Sequence, residues 1–187
     1  MKYCSIDFNH KYILITGGAG FIGSNLAFYF QENFPESKVV IFDCFRNGSK
    51  FENGNLQSFG HYKNLIGFNG DVICGNINNK IDLKALSNYK FDYIFHQAAI
   101  SDTRIYDQEI VMKTNVNSFQ DLLEIAKKDN AITIYASSAA VYGSLPAPQI
   151  IGKESPENPY GYSKYLMDQI ANKFAIQNSN LKIIGLR

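Results

Sequence analysis

The 187-residue sequence predicts an α/β protein built on a doubly wound parallel sheet. Short apolar runs of strand length recur along the chain, and stretches with helical periodicity separate them. A glycine-rich turn joins the first apolar run to the first helical stretch. Because parallel strands need helical crossovers, this alternation favours a parallel sheet over a series of hairpins.

The first strand and the first helix enclose the glycine-rich turn TGGAGFIG. Residues 12–15 predict the strand, and residues 24–30 have the pattern of the first two turns of a helix. A strand, a glycine turn and a helix in this order are typical of a site for the pyrophosphate of a dinucleotide. Gly17 permits the tight turn, Gly20 lets the backbone approach the phosphates, and Gly23 lets the helix pack close to the sheet. The N–H groups and the dipole at the helix start would then hold the anion.

Five further strand-like runs follow in the order expected of such a sheet: residues 39–42, 71–74, 93–96, 132–135 and 181–186. Helical patterns occupy residues 81–87 and 109–128, and another helix begins near Pro159. The segment 46–70 is polar and rich in glycine and asparagine, which predicts a loop. Six strands joined in this way match the Rossmann-like, NAD(P)-binding sheet with strand order 3-2-1-4-5-6.

Composition argues against several other classes of protein. The net charge of +1 and the lack of a basic run argue against a nucleic-acid surface. No apolar stretch is long enough to span a bilayer, and the N-terminus lacks the apolar core of a signal peptide. The cysteines and histidines are scattered without metal-ligand spacing, namely Cys4, Cys44, Cys74, His10, His61 and His96. We therefore expect a soluble cytoplasmic protein with reduced thiols, no metal site, and neither nucleic acid nor membrane as a partner.

Charged residues at the end of the second strand would meet the adenosine half of a dinucleotide. Asp43 lies about 20 residues after Gly23, where a carboxylate binds the ribose hydroxyls. Arg46 and Lys50 follow it, and they are either solvated loop charges or partners of a 2′-phosphate. The carboxylate favours NAD and the two cations favour NADP, so these residues leave both cofactors open.

Two further segments lie at the carboxyl ends of predicted strands. Small residues at such positions let a dinucleotide lie against the backbone, although ordinary turns use the same residue types. The candidates are Asn76 and Ile77 after the third strand, with Gln97, Ala98 and Ala99 after the fourth.

A second group of residues points to proton transfer. Tyr160 and Lys164 are one helical turn apart on the helix that begins near Pro159. The lysine ammonium would favour the phenolate form of the tyrosine. The phenol could then exchange a proton with a substrate hydroxyl while hydride moves to or from a nicotinamide. Ser138, just after the fifth strand, could hold the same substrate oxygen.

Four motifs in the sequence resemble the extended short-chain dehydrogenase/reductase family. They are TGGAGFIGSN at 16–25, HQAA at 96–99, YASSAAVYG at 135–143 and NPYGYSK at 158–164. Within the family, the likeness is to nucleotide-sugar epimerases that act at C6 of a heptose for lipopolysaccharide synthesis. The family's 4,6-dehydratases place an Asp-Glu pair after the catalytic serine, and its 4-epimerases usually carry Thr two positions after it. This chain has Ala139 and Ala140 there.

The resemblance implies roles for individual residues. Ser138, Tyr160 and Lys164 match the family's catalytic serine, tyrosine and lysine. The resemblance also implies tightly bound NADP, with NAD as the alternative, and an epimerisation by transient oxidation of C6 followed by reduction from the other face. The residues that match cofactor contacts are Phe21, Ile22, Asp43, Lys50, Gln97, Ala98, Ala99, Ser101 and Asn115. Cys44, next to Asp43, is a further candidate for a cofactor contact.

In the family, the second catalytic base and most of the sugar-nucleotide pocket lie beyond the strand at which this sequence ends. We therefore expect residues 1–187 to be the NAD(P)-binding domain of a longer, homo-oligomeric enzyme, without its substrate-binding part and inactive alone. The alternatives are another nucleotide-sugar 4-epimerase, dehydratase or reductase, and a non-catalytic dinucleotide sensor. The presence of Ser138, Tyr160 and Lys164 together argues against the sensor.

Overall fold

A computed structural model, which describes residues 5–187, contains a six-stranded parallel sheet with the order β3-β2-β1-β4-β5-β6. The predicted fold class, strand order and parallel sense are confirmed. The third and fourth strands have the predicted bounds, and the others differ at their ends by a residue or two, as is usual for strand boundaries. The strands are β1 (Tyr12–Thr16), β2 (Lys38–Asp43), β3 (Asp71–Cys74), β4 (Tyr93–His96), β5 (Ile132–Ala136) and β6 (Ile183–Leu186).

Helical segments form the crossovers between these strands. The α-helices of the described residues are α1 (Phe21–Asn33), α2 (Lys80–Leu83), α3 (Gln108–Met112), α4 (Ser118–Asp129) and α5 (Pro159–Gln177). Three short 3₁₀ segments accompany them, at Tyr62–Leu65, Lys84–Asn88 and Ala139–Tyr142. The helix predicted over 109–128 is α3 and α4 joined by a turn of π-helix, Lys113–Asn117. Such π turns often mark functional positions inside helices.

The hydrophobic core lies on both faces of the sheet. Along β1, Ile13 and Ile15 face a cluster that contains Phe8, Phe30 and Phe34, while Leu14 faces the opposite layer. All three β1 side chains are fully buried, as expected for a parallel strand covered on both faces. The opposite layer contains Leu14, Val40, Phe42, Leu86, Phe91, Ile94 and Leu122. Burial on both sides holds the carboxyl ends of the central strands in a rigid frame.

The described residues were compared with the requirements of a membrane-spanning helix and of a metal site. Within residues 5–187, no helix has both the length and the apolar composition needed to cross a bilayer. The same residues contain no cluster of histidine, cysteine and acidic side chains that could hold a metal ion. Cys44 and Cys74 are free thiols, and Cys4 lies outside the described residues.

Candidate functional site

The glycine turn lies between β1 and α1, and each of its predicted glycines has a distinct environment. Gly17 has a φ of +69°, and a Cβ there would lie 2.7 Å from the backbone nitrogen of Ala98. A Cβ on Gly23 would collide with the carbonyl oxygen of Gly17. Gly20 differs, because its nearest neighbour to such a Cβ is 3.2 Å away. Gly17 and Gly23 therefore serve the fold of the turn, whereas a Cβ on Gly20 would meet only the Gly17 carbonyl oxygen and need a small shift of it.

Helix α1 begins at Phe21, three residues earlier than the first predicted residue. Gly20 is its N-cap in an extended conformation, and no side-chain oxygen caps the N–H groups of the first turn. The first N–H groups of an α-helix have no partner within the helix, so they attract an anion when no side chain caps them. Phe21 and Ile22 are exposed beside this helix start, 83% and 61% respectively. The geometry suits the phosphates of a dinucleotide.

Asp43, at the end of β2, is tied to the glycine turn. One carboxylate oxygen accepts a hydrogen bond of 3.0 Å from the backbone N–H of Ala19, and the other accepts one of 2.8 Å from Phe45. Burial raises the pKa of Asp43, and these two N–H donors oppose that shift. Each carboxylate oxygen can accept more than one hydrogen bond, so the side chain can still receive a ribose hydroxyl.

A cleft of about 570 Å³ opens above the carboxyl ends of the strands. Its lining joins the glycine turn, the ends of β2, β3 and β4, and the start of α5. Most of the predicted site residues line it: Gly17, Gly20, Phe21, Ile22, Gly23, Asp43, Cys44, Asn76, Ile77, Gln97, Ala98, Ala99, Ser101, Tyr160 and Lys164. Arg46, Lys50, Asn115 and Ser138 lie outside this lining, and the first two are exposed.

A second hollow, of about 710 Å³, lies at the opposite edge of the sheet. Lys11, Asp92 and Lys182 are among its lining residues, and it contains none of the glycine-turn or helix α5 residues. Ligands of doubly wound sheets bind at the carboxyl ends of the strands. We therefore place the functional site in the smaller cleft.

Lys164 is almost completely buried beside Tyr160. The start of α5 is fixed by Pro159 in the first turn and by the Asn158 side chain, which accepts a 2.8 Å hydrogen bond from the N–H of Gly161. The Lys164 ammonium lies 5.8 Å from the centre of the Tyr160 ring. Burial lowers the pKa of Lys164 to about 8, and the charge of Asp168 opposes this shift. Both predicted residues thus face the same end of the cleft.

Ser138 lies in the turn that follows β5. Its hydroxyl oxygen accepts a 3.1 Å hydrogen bond from the N–H of Ala140 and so caps the 3₁₀ segment Ala139–Tyr142. A Cβ on Gly161 would lie 2.6 Å from the carbonyl oxygen of Ala140. Glycine at 161 therefore lets the start of α5 pack directly against the Ser138 turn.

Asp168 is a central residue of this region that the sequence analysis missed. Its carboxylate accepts hydrogen bonds from the Tyr135 hydroxyl (2.6 Å) and the Ser137 hydroxyl (2.9 Å), and pairs with the Arg187 guanidinium at 2.9 Å. Burial, with the Asp168 hydrogen bond, raises the pKa of Tyr135 well above its usual range. Asp168 lies one turn after Lys164 on α5, so helical spacing alone could have identified it.

His96 and Asn115 organise the loop after β4. His96 is buried, its Nδ1 lies 2.7 Å from the Thr16 hydroxyl, and burial with the nearby Lys164 charge lowers its pKa to about 3. The imidazole is therefore neutral near pH 7. Asn115, in the π turn, accepts a hydrogen bond from the N–H of Ile100 (2.8 Å) and donates to the Ile100 carbonyl (2.9 Å) and the Ser163 hydroxyl (2.9 Å). In this structure Asn115 positions the backbone that lines the cleft.

Comparison with known proteins agrees with this geometry. The model of the NAD dependent epimerase/dehydratase family matches residues 13–187. The crystal structure of Helicobacter pylori ADP-L-glycero-D-manno-heptose-6-epimerase superimposes with a TM-score of 0.88 at 52% identity, over 100% of this chain and 57% of that chain. ADP-L-glycero-D-manno-heptose-6-epimerase of Brachyspira hyodysenteriae is 35% identical over 178 residues, which is 94% of this chain and 53% of that protein.

The chain is also similar to an epimerase that acts on a different sugar nucleotide. The crystal structure of UDP-glucose 4-epimerase from Brucella ovis in complex with NAD has a TM-score of 0.77 at 26% identity, over 95% of this chain and 51% of that chain. The chain thus spans about half the length of each of these relatives.

Proposed function

Because this chain belongs to the NAD dependent epimerase/dehydratase family, we propose that it is the dinucleotide-binding half of an ADP-glycero-manno-heptose 6-epimerase. The observation that carries the proposal is the cleft that brings the glycine turn, Tyr160 and Lys164 together at one edge of the sheet. The 52% identity to the Helicobacter pylori heptose epimerase supports this substrate over the sugars of the 4-epimerases, which match at about half that identity.

The lining residues fit a nicotinamide dinucleotide. The uncapped start of α1 suits the pyrophosphate, and Asp43 lies where a ribose would follow. Tyr160 and Lys164, at the other end of the cleft, lie where the nicotinamide and the sugar would meet. When bound, the dinucleotide supplies hydride transfer to and from the sugar carbon.

Three side chains of this chain carry the proton chemistry in the proposal. Tyr160 takes the proton of the substrate hydroxyl as the carbonyl forms and returns it when the alcohol is restored. The buried Lys164 ammonium stabilises the phenolate during that exchange. Ser138 orients the substrate oxygen from the turn that packs against the start of α5. The neutral His96 supplies no competing charge beneath them.

We further propose NADP as the preferred cofactor. Asp43 alone would favour the ribose hydroxyls of NAD. Two relatives of this chain have been solved in complex with NAD, so members of the family accept that cofactor. Arg46 and Lys50 are exposed cations on the segment that follows Asp43. A 2′-phosphate at the ribose would bring its charge toward them, and phosphate–cation hydrogen bonds are among the strong ones.

The domain assignment is part of the same proposal. Residues 1–187 form the dinucleotide-binding domain, and the complete protein adds the second catalytic base and the sugar-nucleotide pocket. Such a division explains why residues 5–187 contain a complete cradle at the glycine turn while the chain spans only about half of each relative.

The experiment that tests the proposed substrate uses the complete protein that carries this chain. It is incubated with ADP-glycero-manno-heptose, UDP-glucose and dTDP-glucose in parallel, and the products are identified by NMR. The proposal predicts inversion at C6 of the ADP-heptose and no change in the other two sugars. Conversion of UDP-glucose to its 4-epimer, with the ADP-heptose untouched, would assign the protein to the 4-epimerases.

A further inference from the structure

Residues 45–60, here called the cofactor hairpin, are not the open loop that their composition predicts. Lys50 pairs with Leu56 in an antiparallel bridge, and the N–H of Gln57 donates a 2.9 Å hydrogen bond to the Ser49 carbonyl. The N–H of Phe51 donates one of 2.8 Å to the Asn55 carbonyl. These contacts pair the two arms of the cofactor hairpin over residues 49–57, and Lys50 lies on the first arm.

Both ends of the cofactor hairpin are anchored at Asp43. The N–H of Arg46 donates a 2.8 Å hydrogen bond to the Gly60 carbonyl, which draws the two ends together. Gly60 lies so close to the Asp43 carboxylate that a Cβ there would collide with it. The adjacent His61 donates its N–H to the Ala19 carbonyl at 3.0 Å. The base of the hairpin is therefore part of the rigid frame of the glycine turn.

The tip of the hairpin is held across the cleft by the loop that follows β4. Phe51 packs against the cluster of Ile100, Ile105 and Val111. The Asn55 side-chain amide donates a hydrogen bond to the Asp102 carboxylate, and the Asn53 amide lies 3.5 Å from the same oxygen. Asn55 and Asp102 are 47 positions apart in the chain. The contact therefore joins two separate walls of the cleft.

Asp102 is a well-fixed acceptor for this contact. Its other oxygen accepts hydrogen bonds from the backbone N–H and the Nε of Arg104, both at 3.0 Å, and its side chain is only 11% exposed. The Arg104 guanidinium holds the pKa of Asp102 well below its usual range. Asp102 is therefore ionised at any working pH, and hydrogen bonds to an ionised acceptor are stronger than neutral ones.

The contact between Asn55 and Asp102 joins two walls of the cleft in which a dinucleotide would bind. The cleft is lined on one wall by Phe51, Leu56 and Gln57 of the hairpin, and on the other by Ile100, Ser101 and Asp102. We propose that the Asn55–Asp102 clasp positions the cofactor hairpin, and with it Lys50, against a bound dinucleotide and slows the departure of that dinucleotide. The inference rests on the proposed function only in that a dinucleotide occupies the cleft.

The test measures cofactor dissociation from the complete protein, with no sugar present. Bound NADPH is displaced by excess NADP, and the fall in its fluorescence gives the dissociation rate. Asn55→Asp sets two carboxylates against each other, so we expect NADPH to leave on the order of tenfold faster. Asp102→Asn combined with Asn55→Asp restores one donor and one acceptor, so the double variant should return to within about threefold of the wild-type rate. Asn88→Asp, at an exposed asparagine that does not line the cleft, is the matched control.

A second measurement needs no cofactor. Trypsin cleavage after Lys50 reports opening of the hairpin, and it should be faster in Asn55→Asp than in the wild type and slow again in the double variant. Protein that binds no NADPH would contradict the proposed function. Protein that binds NADPH but releases it at the wild-type rate in Asn55→Asp, with unchanged cleavage at Lys50, would overturn the clasp.

Discussion

The side-chain ammonium of Lys164 donates a 2.8 Å hydrogen bond to the backbone carbonyl of Ala136, the last residue of β5. A lysine on helix α5 is thus fixed to the carboxyl end of the sheet, where it is 2% exposed. The contact holds a positive charge under Tyr160 at the end of the cleft opposite Asp43. Burial of an ammonium costs free energy, and buried charges of this kind cluster at functional sites.

Replacing Tyr160 with phenylalanine should remove most of the catalytic rate and leave the cofactor in place. The ring remains, but the exchangeable proton is lost, and general acid–base catalysis contributes about 10²–10⁴-fold. Turnover of ADP-heptose and the amount of cofactor copurifying with the complete protein are measured together. Tyr162→Phe, two residues along the same helix and 47% exposed, is the matched control. A Tyr160→Phe protein with near-wild-type turnover would assign the proton transfer to another group.

Lys164→Met should make the protein more stable near pH 6 while it weakens cofactor binding and catalysis. A shift in the pKa of this buried lysine from 10.5 to about 8 corresponds to about 3 kcal/mol of unfavourable charge burial, part of which is offset by the hydrogen bond to Ala136. We expect a net gain on the order of 1–2 kcal/mol in urea unfolding.

The stability difference between the wild type and Lys164→Met should depend on pH. The folded lysine loses its proton near pH 8, whereas the unfolded one keeps it to about 10.5, so the unfolded state binds more protons between these values. Wild-type stability should therefore rise relative to Lys164→Met as the pH increases from 8 toward 10.5. The neighbouring His96 does not titrate in this window, because burial keeps its pKa at about 3. A stability difference that does not change with pH would show that Lys164 is not buried as a charge.

Glycine substitutions should separate cofactor binding from folding. Gly20 has an extended backbone, and a Cβ there would meet only the Gly17 carbonyl oxygen, at 3.2 Å. A small shift of that turn should let Gly20→Val fold, while its side chain occupies the space that the phosphates of the dinucleotide need. Gly23→Ala should instead lower the melting temperature, because its methyl group would collide with the Gly17 carbonyl. Thermal unfolding and NADPH binding are measured on both variants. Full cofactor retention by folded Gly20→Val would place the pyrophosphate elsewhere.

Lys50→Ala should reduce the affinity for NADP and leave that for NAD unchanged. A phosphate–cation hydrogen bond contributes roughly 1.5–3 kcal/mol, or about ten- to a hundredfold in Kd. Lys63→Ala, an exposed lysine outside the cleft, is the matched control. Equal loss of affinity for both cofactors would show that Lys50 does not read the 2′-phosphate.

Much of this architecture could be predicted from local sequence patterns. The bounds of β3 and β4, the strand order, and the shared face of Tyr160 and Lys164 follow from periodicity and from the glycine turn. The membership of the short-chain dehydrogenase/reductase family, inferred from the motifs, is confirmed by the family match over residues 13–187.

The rest depends on contacts that local patterns do not encode. Helix α1 begins three residues before its predicted start because Gly20 caps it without a side-chain hydrogen bond, so the usual Ser, Thr or Asp signal is missing from the sequence. The π turn around Asn115 inserts one residue into a helical pattern without changing its overall appearance. The pairing of Asn55 with Asp102 joins polar residues in two loops, whose composition predicts no partner.

The most direct test of the central claim follows a label through the reaction. ADP-glycero-manno-heptose carrying deuterium at C6 is converted by the complete protein in ordinary water, and the product is analysed by NMR and mass spectrometry. If the dinucleotide held in this cleft takes hydride from C6 and returns it to the other face, the inverted product keeps its deuterium. Inversion with loss of deuterium to the solvent would show a proton-abstraction mechanism and would contradict the account.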